Sequence, residues 1–457
     1  MRDRRNPYTM SKILESIGSA MHHANDNAHD LAAVAKSVAQ EKLLDIPYVD
    51  LTIQFIGASG IPKVDVVGSA DPYFVAKLDD RISFVSTVQV NTLKPVWNEV
   101  WRVKNVPTNA SLFVEVMDKD DGAKHDDYIG KFTTTVAAGA KEAEIEGPIF
   151  RRAGGTFWLK IDSTPSGKDP KAYPYMFDGP IRFSRHFSPT IGLLTNTISS
   201  ADDRTRLYST WKMYIRGIPL FFGDTVQVWN HGYKAAETIF SNTAASLVVR
   251  QATMAGHRLL YARATTNHFG VVERGADVLA VLRGGARVKP AVYTYIISAE
   301  DDSLRFSETG AAFFVDFASK HALHANCHPC VRYSGEFHPR PAGGWGAFND
   351  DIPDDEVHWE LVVDNNSGTY SPDKALLPKL KELLEYNFAG VKIFTLDRED
   401  PALKSSVEEC RAYALQHRGI KRDEFQPQRH AGAEEITLAD RANGISQEEL
   451  ESQGRLI

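Results

Sequence analysis

Ile61-Pro-Lys-Val-Asp65-Val-Val-Gly-Ser-Ala-Asp71-Pro-Tyr-Phe74 and Val116-Met-Asp118-Lys-Asp120-Asp-Gly-Ala-Lys-His-Asp126-Asp127-Tyr-Ile-Gly130 are two aspartate-rich turns, each joined to apolar runs of period two. The runs around them are short and rich in β-branched and aromatic residues: Leu51 to Phe55, Asp71 to Leu78, Phe84 to Val90 and Ser111 to Met117. Alternation over such lengths is the mark of half-buried strands, and strands at this spacing build an antiparallel sandwich. Thr156-Phe-Trp-Leu-Lys-Ile161, after Gly154-Gly155, reads as its last strand.

The two turns resemble the first and third loops of C2 domains. In the first, Asp65 and Asp71 stand six positions apart before a proline and an aromatic that start the next strand. In the third, Asp118 and Asp120 form the family's Asp-x-Asp pair, and either Asp126 or Asp127 precedes the hydrophobic-Gly ending; this loop is one residue longer than the usual pattern. Lys94-Pro-Val-Trp-Asn-Glu99 between them looks like the family's strand-entry motif. The resemblance implies an eight-stranded antiparallel β-sandwich over residues 48–162. It also implies Ca²⁺ ligation by these aspartates, with a lipid phosphate completing the metal's shell and Val66 and Val67 entering the headgroup region.

Elementary electrostatics points the same way. Unit charges 4 Å apart at an effective dielectric of about 20 repel by roughly 4 kcal/mol per pair, so carboxylates gathered at one end of a sandwich need a cation. Ca²⁺ accepts about 6–8 oxygens in flexible geometry, whereas Mg²⁺ demands a rigid octahedron and keeps its waters. Neutralising the loops turns a repulsive surface into one attracted to anionic phospholipid, an electrostatic switch.

The rest of the chain divides by pattern. Ile13, Ile17, Ala20, Ala24, Ala28, Leu31, Ala35 and Val38 predict an amphipathic helix over 10–44; its alanine-rich stripe suits a protein partner or self-assembly better than lipid. Pro165, Gly167, Pro170, Pro174, Gly179 and Pro180 suggest a linker over 163–190. Residues 191–416 read as an α+β domain, with helices near 203–216, 228–240, 243–262 and 270–283 and strands near 292–298, 312–317, 331–337, 357–363 and 391–396. Two later helices follow Pro378 and the Asp400-Pro401 cap; the second carries Cys410 on its apolar stripe. The charged segment 417–457 reads as a flexible tail.

Lys320 to His324, Val331 to His338 and Trp359 to Pro372 resemble, distantly, a domain of plant calmodulin-binding proteins and bacterial effectors marked by Ser-Gly-His-Tyr-x-Pro, with Thr369 here in place of that histidine. His321, His324, Glu336, His338 and Asp364 would form an acid–base site if the strands gathered them. This keeps a second reading open, a membrane-targeted enzyme with chemistry around His324, Glu336 and His338. His324, Cys327, His328 and Cys330 also invite a zinc site, but their spacing is cramped and Pro329 interrupts it.

Composition sets the outer bounds. With 43% apolar and 24% charged residues the chain is a folding one, and a net charge of −7 argues against nucleic acid as its main partner. No apolar run is long enough for a spanning helix, no signal segment is evident, and three cysteines are too few for a disulfide framework. The expectation is a cytoplasmic signalling protein that becomes peripheral to anionic membranes when Ca²⁺ binds, its C-terminal domain presenting a partner surface there.

Overall fold

The structure is a computed structural model that describes residues 46–63, 69–119, 126–147, 154–188, 208–232, seven positions between 237 and 247, 268–283, 287–298, 301–308, 331–353, 355–367, 370 and 372–417. The expected N-terminal helix, the tail, the strand at 312–317 and most of the helices at 228–240 and 243–262 lie outside these residues.

Strand β1 (Tyr48–Ser59) is followed by β2 (Pro72–Leu78), β3 (Ile82–Val85), β4 (Val96–Pro107), β5 (Ser111–Asp118), β6 (Asp127–Thr135), β7 (Gly139–Glu144) and β8 (Thr156–Pro165). They form two antiparallel sheets, and a ninth strand, β9 (Met176–Gly179), joins the first: its order is β7-β8-β1-β4-β9, facing β3-β2-β5-β6. Burial alternates strictly along β2 and β5, so Phe74, Ala76 and Leu78 meet Leu112, Val114 and Val116 inside. The core is aromatic: Phe55 lies 4.6 Å from Phe74, and Phe74 stands edge-on to Trp97 at 4.8 Å. Such edge-to-face pairs favour a fixed geometry over a fluid one.

Residues 163–190, read as a linker, carry β9 instead, and Tyr175 and Phe177 fill the sandwich core. Asn105 holds this crossing segment by donating to the Tyr173 carbonyl at 2.8 Å, and the Tyr175 hydroxyl donates to Asp79 at 2.7 Å. Proline and glycine mark its turns, which sequence pattern does not distinguish from flexibility.

A second sheet begins at once with β10 (Ile181–Ser188) and continues through β11 (Tyr208–Tyr214), β12 (His268–Val272), β13 (Tyr293–Ser298), β14 (Ser303–Glu308), β15 (Val331–Pro341), β16 (Trp359–Asp364) and β17 (Lys392–Leu396). Its order is β12-β10-β11-β14-β13-β15-β16-β17. Every pairing is antiparallel except β16 with β17. That parallel pair needs a crossover, which helix α3 (Leu377–Asn387) supplies. Two shorter helices, α1 (Ile218–Phe222) and α2 (Gly275–Val281), precede α3, and α4 (Pro401–His417) follows β17. Asp400 caps α4 by accepting the Ala402 amide at 2.8 Å, and Cys410 is buried on its inner stripe, both as expected. Leu380, Leu383 and Leu384 of α3 join Trp211, Tyr293, Phe306, Tyr333 and Phe337 in this sheet's core.

Two expectations are corrected here. The helix expected over 203–216 is replaced, over 208–214, by β11: Trp211 and Met213 point into the core at period two, and pairing to β10 and β14 fixes them so. The helix expected over 270–283 begins at Gly275, because residues 268–272 are edge strand β12.

Candidate metal and membrane site

The pairing of β2, β5 and β6 brings the two aspartate turns to one end of the sandwich. Pro72 stands opposite Asp118, and Asp118 stands opposite Asp127. Asp118 occupies the last core-facing slot of β5 and is fully buried, a position at which a carboxylate must be held by donors. One of its oxygens accepts the Asp71 amide at 2.6 Å, and the Asp71 carbonyl accepts the Lys119 amide at 3.1 Å. Asp71 is held from the other side, where its carboxylate accepts the Asn91 amide at 2.6 Å. Asn91, at φ 53°, accepts the Ser69 amide through its side-chain oxygen at 2.9 Å. The segment between β3 and β4 thus buttresses the first aspartate turn.

Asp126 and Asp127 differ in environment. Asp126 accepts from the Tyr73 hydroxyl and from the Lys119 ammonium, each at 2.8 Å. This clasp and burial, burial being the larger cause, push the Tyr73 hydroxyl well above the usual phenol range. Asp127 is exposed and directly opposite Asp118; opposed residues of an antiparallel pair share a face, with Cβ atoms about 4.5–5.5 Å apart. Asp65 and Asp120 lie outside the described residues, as do Val66 and Val67. Among the described residues no three His, Cys, Asp or Glu side chains gather as a metal group. The donors that do converge, Asp71, Asp118 and Asp127, are all oxygens, the set that suits Ca²⁺ rather than a softer ion.

Sequence reasoning missed Asn91 and the Tyr73–Asp126–Lys119 clasp. A weak signal existed for the first, since asparagine is the non-glycine residue best suited to positive φ.

The expected acid–base site on the second sheet is partly assembled. The Asp364 carboxylate accepts the amides of Glu336 at 2.7 Å and Asn366 at 2.8 Å, and the Asn366 side chain donates to Glu336 at 3.2 Å. His338 corrects the expectation for itself: it is buried under α4, with its Nε2 2.8 Å from the Ser406 hydroxyl. Burial, aided by Arg340 and Arg411, pushes its pKa down to about 3, so it stays neutral where an acid–base catalyst must exchange protons. His321, His324, Cys327, His328 and Cys330 lie outside the described residues. No helix among the described residues is long and apolar enough to cross a membrane.

Comparison with known proteins bears on the sandwich. Residues 49–149 match the family model of the C2 domain. Synaptotagmin-1 of Caenorhabditis elegans is 30% identical over 212 residues, covering 45% of this chain and 45% of that protein. Ras GTPase-activating protein 4 of Mus musculus is 34% identical over 85 residues, covering 19% of this chain and 10% of that one. Among solved structures, a C2 domain of plant extended synaptotagmin 1 aligns at 21% identity with a TM-score of 0.24, covering 27% of this chain and 98% of that one. The chain therefore spans less than half the length of these curated relatives, and the likeness belongs to one part of it: residues 49–149 are a C2 domain.

Proposed function

We propose that this protein is a Ca²⁺-dependent, phospholipid-binding peripheral membrane protein. In this reading the C2 domain carries a C-terminal α+β domain, distantly akin to the Ser-Gly-His-Tyr-x-Pro domain, to anionic membranes. The observation that carries the proposal is the meeting of the two turns, with the Asp71 amide 2.6 Å from the buried Asp118 carboxylate and Asp127 opposite it. Asp71, Asp118 and Asp127, with Asp65 and Asp120 from the same turns, take the ligand roles. Asp126 takes the structural one, because Tyr73 and Lys119 already hold it. Uptake of Ca²⁺ cancels the carboxylate repulsion and leaves the sandwich tip attractive to an anionic leaflet. The second sheet and its helices then present a protein-binding surface at the membrane; the buried, neutral His338 favours this over the enzymatic alternative.

Liposome sedimentation tests the proposal. Vesicles containing phosphatidylserine should pellet the protein with Ca²⁺ and release it with chelator, and an Asp118→Asn, Asp120→Asn double variant should stay in the supernatant. Equal pelleting with and without Ca²⁺ would sink the calcium-dependent reading.

A further inference from the structure

The side chain of Arg182 leaves the start of β10 in the second sheet and ends inside the C2 domain. It is 2% exposed, its guanidinium lies over the Phe84 ring at 3.7 Å, and its other aromatic neighbour is the Tyr214 ring at 4.9 Å. It donates to the Val85 carbonyl at 3.2 Å and stands 3.8 Å from the Glu99 carboxylate. A guanidinium this deeply placed is held by planar stacking and by acceptors fixed in direction, a geometry a lysine does not reproduce.

The two acceptors lie at the root of the segment that supports the aspartate turn. Val85 ends β3, and the chain from Ser86 to Asn91 then runs beside β2 toward the metal end. Glu99 receives the Thr87 amide at 2.7 Å and the Thr87 hydroxyl at 2.8 Å, and Trp97 donates to the Thr87 carbonyl at 2.9 Å. Further along, the Gln89 amide reaches the Pro72 carbonyl at 2.9 Å, and the Asn91 amide reaches the Asp71 carboxylate at 2.6 Å. Each link is a hydrogen bond between groups of fixed direction. The run from Val85 to Asn91 spans about 20 Å at the rise of an extended chain.

We propose that Arg182 is a positioning residue for the calcium site: clamping Val85 and Glu99, it sets the segment whose Asn91 amide orients the Asp71 carboxylate, so the Ca²⁺ affinity of the sandwich depends on the second sheet. The proposal rests on Asp71 being a Ca²⁺ ligand, and it supplies a physical route by which a partner bound to the second sheet changes the calcium threshold for membrane binding. Coupling of this kind is energetic and reciprocal: calcium would also tighten the contact between sandwich and second sheet.

The experiment compares the full chain with its Arg182→Met and Arg182→Lys variants. Isothermal titration with CaCl₂ reads affinity, and amide hydrogen exchange without metal reads the segment 85–92. The Met variant should bind Ca²⁺ about tenfold more weakly, a coupling of ordinary size. Its Gln89 and Asn91 amides should exchange faster while those of β1 do not, and the Lys variant should recover part of both. Unchanged affinity in the Met variant overturns the proposal, and so does faster exchange spread evenly over the sandwich, which would mean general loosening. Absence of Ca²⁺ heat in the wild-type chain would fail the calcium reading itself; the exchange arm would then decide whether Arg182 orders the segment, and an unaltered Asn91 amide would dismiss that too.

Discussion

Asp118 continues the inward period of Leu112, Val114 and Val116, so the fold places a carboxylate where the next core side chain would go. Its burial is tolerable because the Asp71 amide bonds it, and the strand's own alternation aims it at the neighbouring turn. Tyr73 and Asp126 show a different bond, one that fixes the start of β6. Tyr73→Phe should lower stability by about 1 kcal/mol in urea unfolding, the usual net worth of such a bond, while Asp126 keeps Lys119; a loss near zero would show that the clasp is not formed in solution. His338 supplies a pH-dependent term. Its folded pKa of about 3 lies below the unfolded value of about 6.5, so the unfolded chain takes the proton first, and stability present above pH 6.5 is lost as pH falls toward 3. At pH 5 this amounts to about 2 kcal/mol by linkage. His338→Gln, which can still bond Ser406, should flatten the stability profile between pH 5 and 6.5; an unchanged slope in thermal melts would refute the assignment. At this scale the aspartates were legible because their spacing is local to two turns. Asn91 and the Tyr73 clasp were not, since each joins residues 20 or more positions apart and depends on strand register.

The second sheet has an apolar face and a polar one, although both are buried. On the polar face Ser184, Lys212 and Arg305 are cross-strand neighbours on β10, β11 and β14, and Thr210, Ser307 and Thr294 make the adjoining row. Asp301 joins the cations, 2.7 Å from Lys212 and 2.6 Å from Arg305, and these neighbours hold its carboxyl well below the usual range against the opposing effect of burial. The hydroxyls of Ser184, Ser307 and Ser334 are buried without a hydrogen-bond partner among the described residues. Removing a buried hydroxyl that bonds nothing relieves a desolvation cost, so Ser307→Ala and Ser334→Ala should each be neutral or up to about 1 kcal/mol more stable. A shift of the urea midpoint downward by a comparable amount would reveal a bound partner. This two-sided burial also explains which elements sequence pattern found. Helices α3 and α4 announce themselves through Pro378, the Asp400 cap and a 3.6-residue stripe. Strands such as β11 and β14 have Trp211 and Met213, or Leu304 and Phe306, on one side and buried Lys212 or Arg305 on the other. Their polar residues look like a solvated face, and the alternation competes with a helical reading until pairing decides it.

Taken as a whole, the molecule does not divide where proline and glycine accumulate. The chain leaves β8, crosses the sandwich, pairs β9 with β4, and enters the second sheet one residue later at β10. Arg182, Lys104 with Asp178 at 3.2 Å, and Tyr214 against the sandwich core then knit the two sheets together. A family pattern ending near residue 149 carries no information about these contacts, because β9 lies outside it. The consequence is measurable in fragments of the sandwich. A fragment ending at Pro165 keeps the eight strands of the expected domain but exposes the edge of β4 and the pocket filled by Tyr175 and Phe177, which are 5% and 2% exposed in the full chain. Burying one aromatic side chain of this kind contributes roughly 1.5–3 kcal/mol, and the β9 pairing covers backbone groups that would otherwise offer an aggregation edge. Extending the fragment from 46–165 to 46–180 should therefore raise unfolding stability by at least about 2 kcal/mol in urea and reduce concentration-dependent association in sedimentation. Equal midpoints for the two fragments would mean that β9 is held by the second sheet rather than by the sandwich, and the boundary would then fall before residue 176.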